Sequence, residues 1–109
     1  MTEPKPSEIL RKAADLIEPE GRWTQNAFAR GKSGVPVDEA GRSAVCFCLV
    51  GAIYRSSRRN MMAANPALQL VRRLVKRDIF SWNDSPRRKQ ETVVSALRQA
   101  AQLAESEGR

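Results

Sequence analysis

Between residues 55 and 89, ten basic side chains (Arg55, Arg58, Arg59, Arg72, Arg73, Lys76, Arg77, Arg87, Arg88 and Lys89) are offset by two acids, Asp78 and Asp84. That local excess of eight is larger than the +7 of the whole chain, so the remainder is nearly balanced. Arginine fills eight of the ten positions, and its planar fork suits paired hydrogen bonds to phosphate or carboxylate better than an ammonium does. A concentrated face of this kind points to an anionic partner; the plainer alternative is a solvated helix surface. Nothing resembling a helix-turn-helix, an RNP block or a zinc finger accompanies it, so contact with phosphates is expected ahead of base reading.

A second group, Trp23, Cys48, Trp82, Asn83 and Asp84, joins polar side chains to aromatics and could line a pocket. Cys48 is the candidate nucleophile there, but thiol catalysis commonly needs a neighbouring base, and the chain has no histidine. The same lack argues against Ser-His-Asp hydrolysis and zinc-dependent hydrolases, so no catalytic residue is assigned and an enzyme is not expected. The competing reading makes Asn83-Asp84-Ser85-Pro86 an ordinary helix start anchored by Trp82, and Cys48 a small core residue. Core and pocket both stay open. Cys46 and Cys48 stand too close for a stapling disulfide and too few for a structural metal set, so free thiols and no metal or other cofactor are expected. Gly31-Lys32-Ser33 resembles the end of a P-loop, but Asn26 occupies the position of its first glycine and Pro36 follows where a helix must begin. A turn is the better reading.

The elements that position these residues follow from periodicity. Ser7 reads as an N-cap before Ile9, Leu10, Ala13, Ala14, Leu16 and Ile17, which share one helical face that ends near Glu18. Residues 23–29 and 35–37, around a Gly-rich turn, predict a small β-hairpin. The apolar run from Ser43 to Tyr54 predicts a buried central helix. Gly51 inside it costs about 1 kcal/mol against Ala, a cost usually offset by close approach of a backbone or a ring such as Trp23 or Trp82. Asn65-Pro66 predicts the start of a basic third helix carrying Leu68, Leu70, Val71, Leu74 and Val75, and Asp84 or Ser85 the cap of a last helix with Val93, Val94, Leu97, Ala100, Ala101 and Ala104 inward. The expected fold is mostly α, about four helices with one hairpin between the first and second. Its 109 residues predict a single domain with frayed ends at 1–6 and 105–109. No run approaches the ~18 apolar residues of a membrane span, and no apolar signal core is present, so a cytoplasmic protein is expected.

Four blocks, Ile9–Ile17, Trp23-Thr24-Gln25, Cys48-Leu49-Val50-Gly51-Ala52-Ile53 and Trp82-Asn83-Asp84, resemble in order and spacing a small bacterial and phage domain family of unknown function. The resemblance covers most of the chain and brings no activity with it. It implies that Trp23, Cys48, Gly51, Trp82 and Asn83 belong to one core or pocket, and it leaves residues 58–64 unmatched. The expectation is therefore a non-enzymatic basic binding protein. Its arginine-rich face would engage nucleic acid or an acidic surface of a nucleic-acid-handling complex; one concrete version is a phage-encoded, anti-CRISPR-like inhibitor of a bacterial defence system. The alternatives are a small enzyme or ligand-binding domain built on the Cys48 and Trp82-Asn83-Asp84 pocket, and a purely structural subunit.

Overall fold

The computed structural model describes residues 4–109. Helix α1 spans Pro6–Ile17. Proline needs no N–H partner at a first helical position and its φ is already helical, so Pro6 opens the helix and Lys5 takes the cap position expected for Ser7. Its buried face is Ile9, Leu10, Ala13, Ala14 and Ile17, and it packs most extensively on the last helix, α5 (Gln90–Ser106), whose Val93, Leu97, Ala100, Ala101 and Ala104 are fully covered. Exposed ion pairs, Arg11 with Glu105 and Arg98 with Asp15 and Glu18, bridge α1 and its C-terminal end to α5. They contribute little individually beside the apolar seam.

Between α1 and α2 (Leu49–Ser57) lies a two-stranded antiparallel sheet, β1 (Ala29–Arg30) with β2 (Cys46–Phe47). The hairpin is thus where it was expected, with a different second strand. Pro36 makes one isolated bridge to Arg30 and lacks the N–H needed to extend a ladder. Cys46 and Phe47 supply that ladder, taken from a run predicted to be helical. Phe47 also donates its N–H to Arg22 O and accepts from Thr24 N–H, so three segments meet on one residue. The central helix consequently begins only at Leu49, with Cys48 as its N-cap and the Cys48 Sγ accepting from the Gly51 N–H at 3.2 Å.

Helix α3 covers Met61–Val75 and is capped by Asn60, not Asn65. Pro66 lies inside it and costs the helix the hydrogen bond to the Met62 carbonyl; Met62 is 77% exposed, so water can take that place. Leu70 and Val71 are buried, and Leu68, Leu74 and Val75 pack partly against the core. The three-residue link from α2 turns through Arg58 and Arg59, both left-handed with φ of 55° and 60°. A fifth helix, the short α4 (Ile79–Asn83), was not predicted; Asp78 caps it through the Ser81 N–H and hydroxyl. Neither Asp84 nor Ser85 caps α5, which starts at Gln90 after a turn. Near the C-terminal end, Glu107 pairs with Arg73 and Arg109, and Ser7 donates through its N–H and hydroxyl to the Arg109 carbonyl. Of the expected loose start, residues 1–3 lie outside the described residues, and Pro6 is helical.

Gly51 shows how tightly the joint between sheet and α2 is built. A Cβ added there would overlap the Phe28 carbonyl oxygen and come within 3.3 Å of Phe28 Cα. The close neighbour is therefore backbone, as one of the expected options, and neither Trp23 nor Trp82 fills the space. Backbone held on both sides by hydrogen bonds cannot retreat as a flexible side chain can, so Gly51→Ala is expected to lower the unfolding free energy by about 3 kcal/mol in urea titration. An unchanged midpoint would contradict this packing.

Candidate functional site

The buried amide of Asn83, 1% exposed at the end of α4, joins residues far apart in the chain. Its Oδ1 accepts from Trp23 Nε1 at 2.8 Å and from the Leu49 N–H at 3.1 Å. Its Nδ2 donates to the Thr24 carbonyl at 3.2 Å and to Asp84 Oδ1 at 2.9 Å. An asparagine amide offers two acceptor positions and two donors, and all four are used. Gln25 reinforces the joint, donating to the carbonyls of Asn83 (2.9 Å) and Ser85 (2.8 Å). Asp84 Oδ1 also accepts the N–H of Asn26 at 2.9 Å, which holds that residue in a left-handed turn with φ 64°.

Beside this network is an open concavity of about 510 Å³ lined by Asn26, Ala27, Phe28, Cys48, Val50, Phe80, Asn83 and Asp84. Three of the five sequence-predicted pocket residues, Cys48, Asn83 and Asp84, therefore do line one surface. Trp23 and Trp82 do not: Trp23 reaches Asn83 from the side, and Trp82 is buried with the Arg88 guanidinium 4.1 Å above its ring. Phe28 and Phe80 were missed. The signal available was two aromatics in polar surroundings, and only folding sets them 5.9 Å apart, edge to face. Cys48 is a poor nucleophile here. Loss of hydration pushes its thiol up to about 11, partly opposed by hydrogen bonds from backbone N–H groups of the first turn of α2, while the Asp84 charge pushes it further up.

The ten basic residues fall into separate settings. Arg55 donates to the carbonyls of Glu39 (2.9 Å) and Gly41 (2.7 Å) and lies 5.6 Å from the Phe47 ring centre. Arg59 pairs with Asp38 and Glu39, Arg73 with Glu107 at 2.9 Å, and Arg88 donates to the Trp82 carbonyl at 2.8 Å. Among the described residues, Arg58, Arg72, Lys76, Arg77, Arg87 and Lys89 are exposed and make no ion pair. Arg72, Arg73, Lys76 and Arg77 come together, lining with Gln69 a shallow concavity of about 560 Å³ at the C-terminal end of α3. Lys89 instead lines an open groove between the end of α1 and α5 beside Glu18, Glu20 and Glu91, a mixed-charge junction. No group of three or more Cys, Asp or Glu side chains among the described residues is placed to hold a metal ion. No helix among them is long and apolar enough to cross a membrane.

Two outcomes follow from this geometry. Asn83→Ala strands the Trp23 and Leu49 donors, the latter fully buried, and is expected to cost about 3 kcal/mol in urea unfolding; a loss within error of zero would remove Asn83 from its central place. For Cys48, an unfolded thiol ionises near 9.0 whereas the folded one holds its proton to about 11, so its contribution to stability is full below pH 9.0 and lost as pH rises towards about 11. Cys48→Ser keeps an acceptor for the Gly51 N–H without that ionisation, so its stability falls less than wild type's across this window. In a Cys46→Ser background, iodoacetamide near pH 8 should alkylate folded Cys48 at least about 100-fold more slowly than the urea-unfolded chain.

No curated protein and no solved structure matches this chain. Residues 1–103 match a family of unknown function (DUF6197), which takes in all five helices except the last turn of α5. The chain belongs to that family.

Proposed function

We propose that the protein is a non-enzymatic binding protein whose α3 ridge engages the phosphates of nucleic acid. The observation that carries this reading is the concavity at the end of α3, where four cations and one amide, Arg72, Arg73, Lys76, Arg77 and Gln69, form the lining with no acid among them. Helix spacing explains the arrangement: residues 69, 72, 73 and 76 recur at three and four positions and fall on one face. Three of the four cations make no ion pair among the described residues, so they keep their hydrogen-bonding capacity for a partner. Cations in the last turn also complement the helix dipole, which accounts for some of this charge but not for its extension to Arg77 beyond the cap. Asp78 is the nearby counterweight. The Ser81 N–H and hydroxyl, and then the charges of Arg72 and Arg77, hold its carboxyl below the usual value, so it stays ionised beside them.

A ridge of this kind predicts affinity that falls with salt. In fluorescence anisotropy with a labelled duplex and a labelled single strand, the slope of log K against log salt should lessen by roughly two to three in Arg72→Ala/Lys76→Ala/Arg77→Ala. Removing three exposed cations elsewhere, Lys12→Ala/Lys32→Ala/Arg42→Ala, should leave most of it. Asp78→Asn keeps an oxygen for the Ser81 cap and deletes the opposing charge, so it should bind more tightly than wild type. Absence of binding to both nucleic acids at low salt sinks the phosphate reading and leaves an acidic surface of a nucleic-acid-handling protein as the partner to pursue.

A further inference from the structure

We propose that the concavity beside α4 is a binding site for a small organic ammonium ion with an apolar body. It shares no residue with the α3 ridge, so it stands or falls independently of phosphate binding there. Among its lining residues Asp84 is the single charged side chain, an acid in a chain of net charge +7. One carboxylate oxygen, Oδ1, is already occupied by the Asn26 N–H and the Asn83 amide, both at 2.9 Å, which fixes the orientation of the group. The second oxygen accepts no hydrogen bond from the described residues and is the atom left for a ligand. Asn83 has no donor to spare, so the lining offers a ligand one charged acceptor, and the side-chain amide of Asn26 is its neutral donor.

The apolar part of the site matches that chemistry. Phe28 and Phe80 are 42% and 44% exposed and meet edge to face, while the Tyr54 ring stands 5.9 Å from Phe28. Aromatic rings left open beside a carboxylate attract a cation through their faces and cover the hydrocarbon attached to it. Val50 and the neutral Cys48 thiol complete the lining without adding a second charge. A neutral apolar ligand would cover the free carboxylate oxygen and leave it unpaired, and an anion would be repelled. The volume, about 510 Å³, is that of a site for one small molecule.

The test uses phenethylammonium and its neutral counterpart 2-phenylethanol, titrated near neutral pH into the ¹⁵N-labelled full chain. Phenethylammonium should shift the amides of Ala27, Phe28 and Val50 saturably and bind at least about tenfold more tightly than the alcohol, the range of one charge-assisted hydrogen bond. Asp84→Asn retains an oxygen for the Asn26 N–H and should reduce the ammonium to the alcohol's affinity; Phe80→Ala, at an exposed rim, should weaken both probes. Equal affinity of the two probes for wild type, or undiminished ammonium binding by a folded Asp84→Asn, overturns the proposal. If Asp84→Asn fails to give a folded spectrum, the wild-type pair and Phe80→Ala decide. In that case an ammonium no tighter than the alcohol, or indifferent to loss of the Phe80 ring, overturns it.

Discussion

Everything around the candidate site depends on the four hydrogen bonds of the Asn83 amide. They tie the Trp23-Thr24 segment, the first residue of α2 and Asp84 to one planar group that is 1% exposed. A buried polar group of this kind tolerates little displacement, because each unmade bond costs about 1–3 kcal/mol with no water to replace it. The amide therefore sets the register between the 22–30 segment and α4. Gly51 completes the joint from the other side: with no Cβ, it lets the Phe28 backbone lie on α2, where the Phe28 carbonyl accepts the Cys48 N–H at 3.1 Å. The position of the Phe28 ring beside Phe80, and so the concavity itself, results from these two constraints acting together.

The arginines illustrate how one residue type serves two purposes in the same stretch of chain. Arg55 and Arg59 hold the 38–41 segment of the long β1–β2 loop, satisfying carbonyls and carboxylates that the short sheet leaves free. Arg88 covers Trp82 and satisfies its carbonyl, and Arg73 secures the C-terminal turn through Glu107. Removing any of these changes the protein's surface packing as well as its charge. What makes no ion pair among the described residues is a smaller set concentrated at the end of α3, together with Arg58, Arg87 and Lys89 elsewhere.

Much of the fold was legible from residue spacing. The apolar faces of α1 and α5 follow a 3.6-residue period over many residues, and the glycine at 51 pointed to a close neighbour, either backbone or an aromatic ring. Three features were illegible for physical reasons. An unbroken apolar run such as Val45–Val50 fits a buried strand as well as a buried helix, so the strand at Cys46–Phe47 leaves no mark in periodicity. Helix α4 is only five residues long and shows less than two turns of pattern. Asn65-Pro66 carries the usual chemistry of a helix start, yet Asn60 supplies the cap one turn earlier, because a proline near an exposed helix end removes only one hydrogen bond, to a carbonyl that water can reach.

The sequence by itself determined the local quantities: which helical faces are apolar, that eight units of net positive charge lie between residues 55 and 89, and that no histidine is available as a base. Only the tertiary structure decided which of those arginines stay free, that the Asp84 side chain binds the Asn26 N–H instead of capping the start of α5, and that Phe28 meets Phe80. The reason is the distance along the chain over which these pairings act. Trp23 and Asn83 are sixty positions apart, and Phe28 and Phe80 nearly as far; such partners are selected by packing of the whole core, not by any pattern within a few turns of either residue.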